Sequence, residues 1–90
     1  MATLRFTLVC DFDGGTYVSQ VQAADECHAI KEWAAHLRRE LPIERLSARI
    51  ADEAAGSSDR LVAVTGLAGV WCWTACVDDK LVLTNIVHSA

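Results

Sequence analysis

The chain has 90 residues, 52% of them hydrophobic, one proline and a formal net charge of −4. That composition excludes an intrinsically disordered chain and fits a single domain spanning residues 1–90 around one modest core. It also argues against two partner classes: no apolar run approaches the ~20 residues of a membrane-spanning helix, and an acidic chain lacks the cationic excess on which general nucleic-acid binding depends.

Leu4, Phe6, Leu8, Cys10 and Phe12 alternate with Arg5, Thr7, Val9 and Asp11. Period-two alternation predicts a strand with one face in a core. Asp13-Gly14-Gly15 follows, then a second run from Thr16 to Ala23. Asp-Gly and Gly-Gly both supply the positive-φ residues of a tight hairpin turn, so two registers stay open. An Asp13-Gly14 loop sets Phe12 opposite Gly15 and Cys10 opposite Tyr17. A Gly14-Gly15 loop sets Phe12 opposite Tyr17. The two differ by two residues, so both keep the same side chains on the core face. The stretch from Met1 to Phe12 has no continuous apolar segment of the secretory type, which makes the cytoplasm the expected compartment.

Asp25 suits a helix N-cap, with Glu26 in the first turn. From about Glu26 to Glu40, the 3–4 spacing of Cys27, Ile30, Trp33, Ala34, Leu37 and Leu41 predicts an amphipathic helix. Phe6, Leu8 and Phe12 of the hairpin are expected to pack against Ile30, Trp33 and Leu37. Pro42 breaks or restarts the helix. Ile43, Leu46, Ile50 and Ala54 form a second stripe, Gly56 is placed to cap it, and Ser57-Ser58-Asp59 reads as a polar loop.

Leu61 to Thr65 reads as a short strand and Gly66-Leu67-Ala68-Gly69 as a turn. Val70 to Val77 and Leu81 to His88 form a second long hairpin around Asp78-Asp79-Lys80. Val70–Val77 is apolar on both sides: Val70, Cys72 and Cys76 lie on one, Trp71, Trp73, Ala75 and Val77 on the other. Such a strand is central, covered on its second face, or used in an interface. The order β-β-α-α-β-β-β predicts an α+β fold, an antiparallel sheet with helices packed on one face.

The four cysteines invite a zinc or disulfide reading, but Cys72 and Cys76 lie ~13 Å apart along one strand, beyond disulfide reach, and no Cys-x-x-Cys pair exists. Buried, reduced thiols at Cys10, Cys27, Cys72 and Cys76 are the expectation. His28, Glu32 and His36 form an i, i+4, i+8 column. Its two histidines are ~12 Å apart by helical rise, so they cannot share one ion, and an exposed polar face is the simpler reading. Ser57 and Ser58 lack the context of a nucleophile elbow. No catalytic residue, cofactor site or metal site is assigned and no enzymatic activity is expected, a small-ligand or metal-dependent enzyme using His28, Glu32 and His36 being the third reading, behind the two binding roles given below.

The stretch Asp13-Gly14-Gly15-Thr16-Tyr17, between two strands and ahead of an alanine-containing helix, resembles the first hairpin of HicB-type antitoxins. The likeness covers the first hairpin and helix. The chain departs from that pattern where Ala23-Ala24-Asp25 leads straight into the helix, and in its second helix and Trp-rich hairpin. In style, a short acidic α+β domain is also similar to small bacterial immunity proteins. Both likenesses imply an inhibitor that occludes a toxin.

The function expected is a small protein-binding module. Its candidate contact residues are the hairpin-tip carboxylates Asp11, Asp13, Asp78 and Asp79, which would steer a basic partner, and Trp71 and Trp73, aromatic residues of the kind that anchor interfaces. For the tryptophans, packing beneath the helices is the competing reading. A self-associating structural domain, with the two-faced strand covered in a homodimer, is the alternative function. The cationic run Lys31, Arg38, Arg39, Arg45 and Arg49, interleaved with Glu32, Glu40 and Glu44, reads as a solvated mixed-charge helix surface.

Overall fold

A computed structural model describes residues 3–56 and 60–89. The elements are β1 (Leu4–Phe12), β2 (Gly15–Ala23), α1 (Glu26–Glu40), α2 (Leu46–Gly56), β3 (Val62–Ala63), β4 (Val70–Val77) and β5 (Lys80–His88). They build the expected α+β fold, with all five strands in one antiparallel sheet of order β2-β1-β5-β4-β3. The shortest extent of the molecule, 21 Å, has room for one sheet and one layer of helices.

The first hairpin adopts the Asp13-Gly14 register: Phe12 pairs with Gly15, Cys10 with Tyr17, Leu8 with Ser19 and Phe6 with Val21. Both loop residues have positive φ, 49° and 81°, as a type I′ turn requires. The second hairpin repeats this geometry with Asp78-Asp79 at φ 56° and 61°. Its loop has two residues, so Val77 pairs with Lys80 and β5 starts one residue before the alternation begins. Aspartate tolerates the left-handed region better than most L-residues because its short side chain bonds locally.

Asp25 caps α1, its carboxylate accepting from the His28 N–H at 2.8 Å. Leu41 ends the helix in left-handed conformation (φ 48°, ψ 49°), its N–H donating to the Leu37 carbonyl. Pro42 follows in a turn rather than at a first helical position. Leu41 is thus a cap with an exposed side chain, not a member of the apolar stripe. Ser47, buried on α2, accepts from the Ile43 N–H at 2.8 Å and anchors that turn. Gly56 is the last helical residue. The proposed loop Ser57-Ser58-Asp59 lies outside the described residues, and β3 is confined to Val62–Ala63.

One core joins the sheet to the helices. Phe6, Leu8, Cys10 and Phe12 of β1 meet Ala29, Ile30, Trp33, Ala34 and Leu37 of α1, Ile50, Ala51 and Ala54 of α2, and Val82 and Ile86 of β5. On β4 the helix-facing side chains are Trp73, Ala75 and Val77, all buried, with Trp71 partly buried beside them. Trp73 stands edge-on to Trp33, with centroids 6.0 Å apart and planes at 75°, the arrangement that the ring quadrupoles favour.

The thiols correct one expectation. Cys10 is buried, but Cys27 and Cys76 are exposed and Cys72 is intermediate. Cys27 lies in the first turn of α1, ahead of Ala29, where the buried residues begin. Cys72 and Cys76 alternate out of phase with the tryptophans and so point away from the helices.

Candidate functional site

The antiparallel pairing of β1 with β5 puts both hairpin turns at the same end of the sheet, since Phe12 pairs with Val82. The two acidic tips, 65 residues apart in sequence (78 minus 13), therefore become neighbours. Asp11, Asp13, Asp78 and Asp79 share this end, and all four are exposed. Lys80 Nζ bonds Asp13 Oδ2 across the hairpins at 3.0 Å. Asp13, through hydrogen bonding first and charge second, raises the Lys80 pKa and holds the ammonium protonated. Arg49 of α2 approaches Asp78 at 3.8 Å. Asp11 accepts from the Thr16 hydroxyl at 2.8 Å. Asp79 makes no ion pair among the described residues. Four carboxylates against two cations leave this end anionic.

The helix-free face of the sheet adjoins that end. Residues opposite in pleat to the core point there: Arg5, Thr7, Val9 and Asp11 on β1, Thr16, Val18, Gln20 and Gln22 on β2, Val70, Cys72, Thr74 and Cys76 on β4, and Leu81, Leu83, Asn85 and Val87 on β5. Both helices pack against the other side of the sheet, and Ser89, just past β5, accepts from the Thr7 hydroxyl on this one at 3.0 Å. Val18 is 65% exposed, Val62 65% and Leu81 62%. Arg5 and Asp11 are its only charged strand residues. This face is mixed: Val9, Val18, Val62, Val70, Leu81, Leu83 and Val87 are interleaved with threonines, glutamines and an asparagine, and carboxylates border it at one end.

The sequence-derived site residues thus separate. The structure gathers the four aspartates. It sends Trp73 to full burial against Trp33 and places Trp71 on the helix side, 6.2 Å from the Phe6 ring. Neither indole lies on the helix-free face. The apolar side chains at the surface of β4 are instead Val70, Cys72 and Cys76, which the sequence grouped correctly without revealing which side the helices would take.

The remaining candidates form no reactive cluster. His28 Nδ1 lies 2.8 Å from Asp25 Oδ1 at the mouth of α1, and the Asp25 carboxyl is held below its ordinary pKa, chiefly by the His28 backbone N–H. No group of three His, Cys, Asp or Glu among the described residues is arranged to hold a metal ion. Burial pushes the Cys10 thiol pKa up. Thr84, paired with Cys10 across the strands, opposes that rise, yet its buried hydroxyl makes no well-formed hydrogen bond. That proximity is a weak contact in the core. Of the cationic helix run, Arg38 is bonded to Asp52, tying α1 to α2. A shallow recess of about 330 Å³ lies toward the other end of the first hairpin, lined by Arg5, Gln20, Val21 and Gln22. It offers one cation and two amides, with no acid–base pair. No described helix is long and apolar enough to cross a membrane.

Compared with known protein families, characterised proteins and solved structures, the chain matches none.

Proposed function

We propose that this chain is a protein-binding module that works by occlusion. It seats the helix-free face of its sheet on a protein whose contact surface is apolar with a basic rim. The observation that carries this reading is the junction of a helix-free sheet face bearing the exposed Val18, Val62 and Leu81 with an end bearing four exposed aspartates. Apolar side chains at the centre would supply affinity, and the carboxylates would steer encounter and reject acidic competitors. An inhibitor of the antitoxin or immunity type is the specific role in keeping with this chemistry. Trp73 has no part in the contact.

Photo-cross-linking in cells tests the reading. A photoreactive residue at Val18 or Leu83 should capture one and the same basic polypeptide, and one at Lys31 or Arg39 on the exposed side of α1 should not. Capture from the helix positions alone would overturn it.

A further inference from the structure

The outer edge of β2 is a free edge of the sheet. Phe12 and Gly15 flank a two-residue turn, so they form a hydrogen-bonded pair. Alternation then directs the backbone groups of Gly15, Tyr17, Ser19, Val21 and Ala23 toward β1, and those of Thr16, Val18, Gln20 and Gln22 outward. The far side of β1 obeys the same parity: the Arg5 carbonyl accepts from the Ser89 N–H at 2.9 Å. No loop or helix backbone group among the described residues bonds to the outward groups of β2.

Natural sheets protect such an edge with proline, lysine, a bulge or brevity. β2 has none of these. It is nine residues long, pairs with β1 without a bulge, and carries neither proline nor any charge. The opposite edge, β3, has only two residues. The β2 side chains also leave the edge open. Gln20 Nε2 donates to Thr7 Oγ1 at 3.1 Å and Thr16 to Asp11 at 2.8 Å, both reaching inward over β1.

We infer that two copies join through antiparallel β2–β2 pairing about a two-fold axis at Ser19. Among symmetric registers that bring outward groups together, this one engages all four outward residues: Thr16 with the partner copy's Gln22, and Val18 with its Gln20. On the helix side it sets Tyr17 beside the partner copy's Val21, both partly buried residues at the margin of the core. It opposes no charged side chains. Symmetry makes the contact isologous, so it closes as a dimer. The two five-stranded sheets become one of ten, with all helices on one side and the two acidic ends pointing in opposite directions. The helix-free faces of both copies stay open, so the pairing is independent of the occlusion proposed above.

The register has a specific signature. Ser19 pairs with itself at a non-hydrogen-bonded position, where Cα atoms are ~4.5 Å apart, within the disulfide range. In a Cys27→Ser, Cys76→Ser background, Ser19→Cys should give a disulfide dimer as the main product of mild oxidation. Val18→Cys and Gln20→Cys, each offset from its own copy, should give little. Light scattering of the unmodified chain at high micromolar concentration should give twice its 9.8 kDa mass. Gln20→Pro removes an outward N–H and spares the β1 ladder, and Ser19→Lys sets like charges on the axis. Either variant should halve the mass while near-ultraviolet circular dichroism reports an intact tryptophan core. A single-chain mass for the unmodified protein, equal cross-linking at all three positions, or a dimer that survives in a folded variant would overturn the inference.

Discussion

Trp73 tests which side of β4 faces the core. Its side chain is wholly buried, and its ring meets Trp33, itself 1% exposed. A buried tryptophan removes roughly 150–250 Å² from water. At ~25 cal/mol per Å² that is about 4–6 kcal/mol, reduced by roughly a tenth to two-fifths because the unfolded chain is already partly compact. Trp73→Ala should therefore cost about 3–5 kcal/mol, in line with large-to-small core replacements. That is a large share of the ~5–15 kcal/mol of a whole domain. Trp71→Ala, at a partly buried site against Phe6, should cost less than half as much. Equilibrium urea unfolding, followed by far-ultraviolet circular dichroism, measures both. A Trp73→Ala loss below about 1 kcal/mol, or a larger loss for Trp71→Ala, would refute the reasoning, since either would put the wrong side of β4 against the helices.

Three further perturbations probe local features. Cys27 and Cys76 should react quickly with a thiol reagent in the native protein and Cys10 only on unfolding, because Cys10 is buried and its pKa raised; fast native labelling of Cys10, followed by mass spectrometry, would contradict its placement. Leu41→Gly should stabilise the chain by about 1 kcal/mol in denaturant melts, since glycine relieves the left-handed backbone cost at a side chain that is 48% exposed; destabilisation would mean that Leu41 does not cap α1. The Asp25 pKa is lowered on folding, so its stabilisation is present above the unfolded carboxylate pKa of ~3.9 and is lost as pH falls through the folded value. The melting temperature of Asp25→Ala should fall below that of the unmodified chain at neutral pH and converge on it in acid, and a gap that persists at low pH would refute the assignment.

Local patterning made much of the fold legible. Alternation in β1, a positive-φ turn within Asp13-Gly14-Gly15, a capping aspartate at 25 and the 3–4 spacing of Ile30, Trp33, Ala34 and Leu37 each act over a few residues, and each appears in the structure, which selects Asp13-Gly14 for the turn. Periodicity did not decide β4, because both of its sides are apolar. Which side is buried depends on where α1 and α2 land, a property of the whole chain. Cys27 lay beyond the same kind of reasoning: its spacing to Ile30 fits a stripe, but the contact face begins at Ala29. The acidic end was readable as residues and not as a place. Asp13 and Asp78 become neighbours only through β1–β5 pairing, a long-range contact without a local signature. Lys80 was legible as part of the second turn, but its bond to Asp13 was not, for the same reason.

The central claim, that the helix-free sheet face anchors a protein while the acidic end guides it in, is tested most directly by association kinetics with the polypeptide captured at Val18 and Leu83. Asp11→Lys with Asp79→Lys should slow association and flatten its dependence on salt, leaving dissociation nearly unchanged, because rim charges act on encounter. Leu83→Ser should instead speed dissociation, by tenfold or more if it sits in a binding hot spot. If both variants bind as the unmodified chain does, while reversal of Arg39 or Arg45 on the helical surface abolishes binding, the contact lies on the opposite side of the molecule and the claim fails.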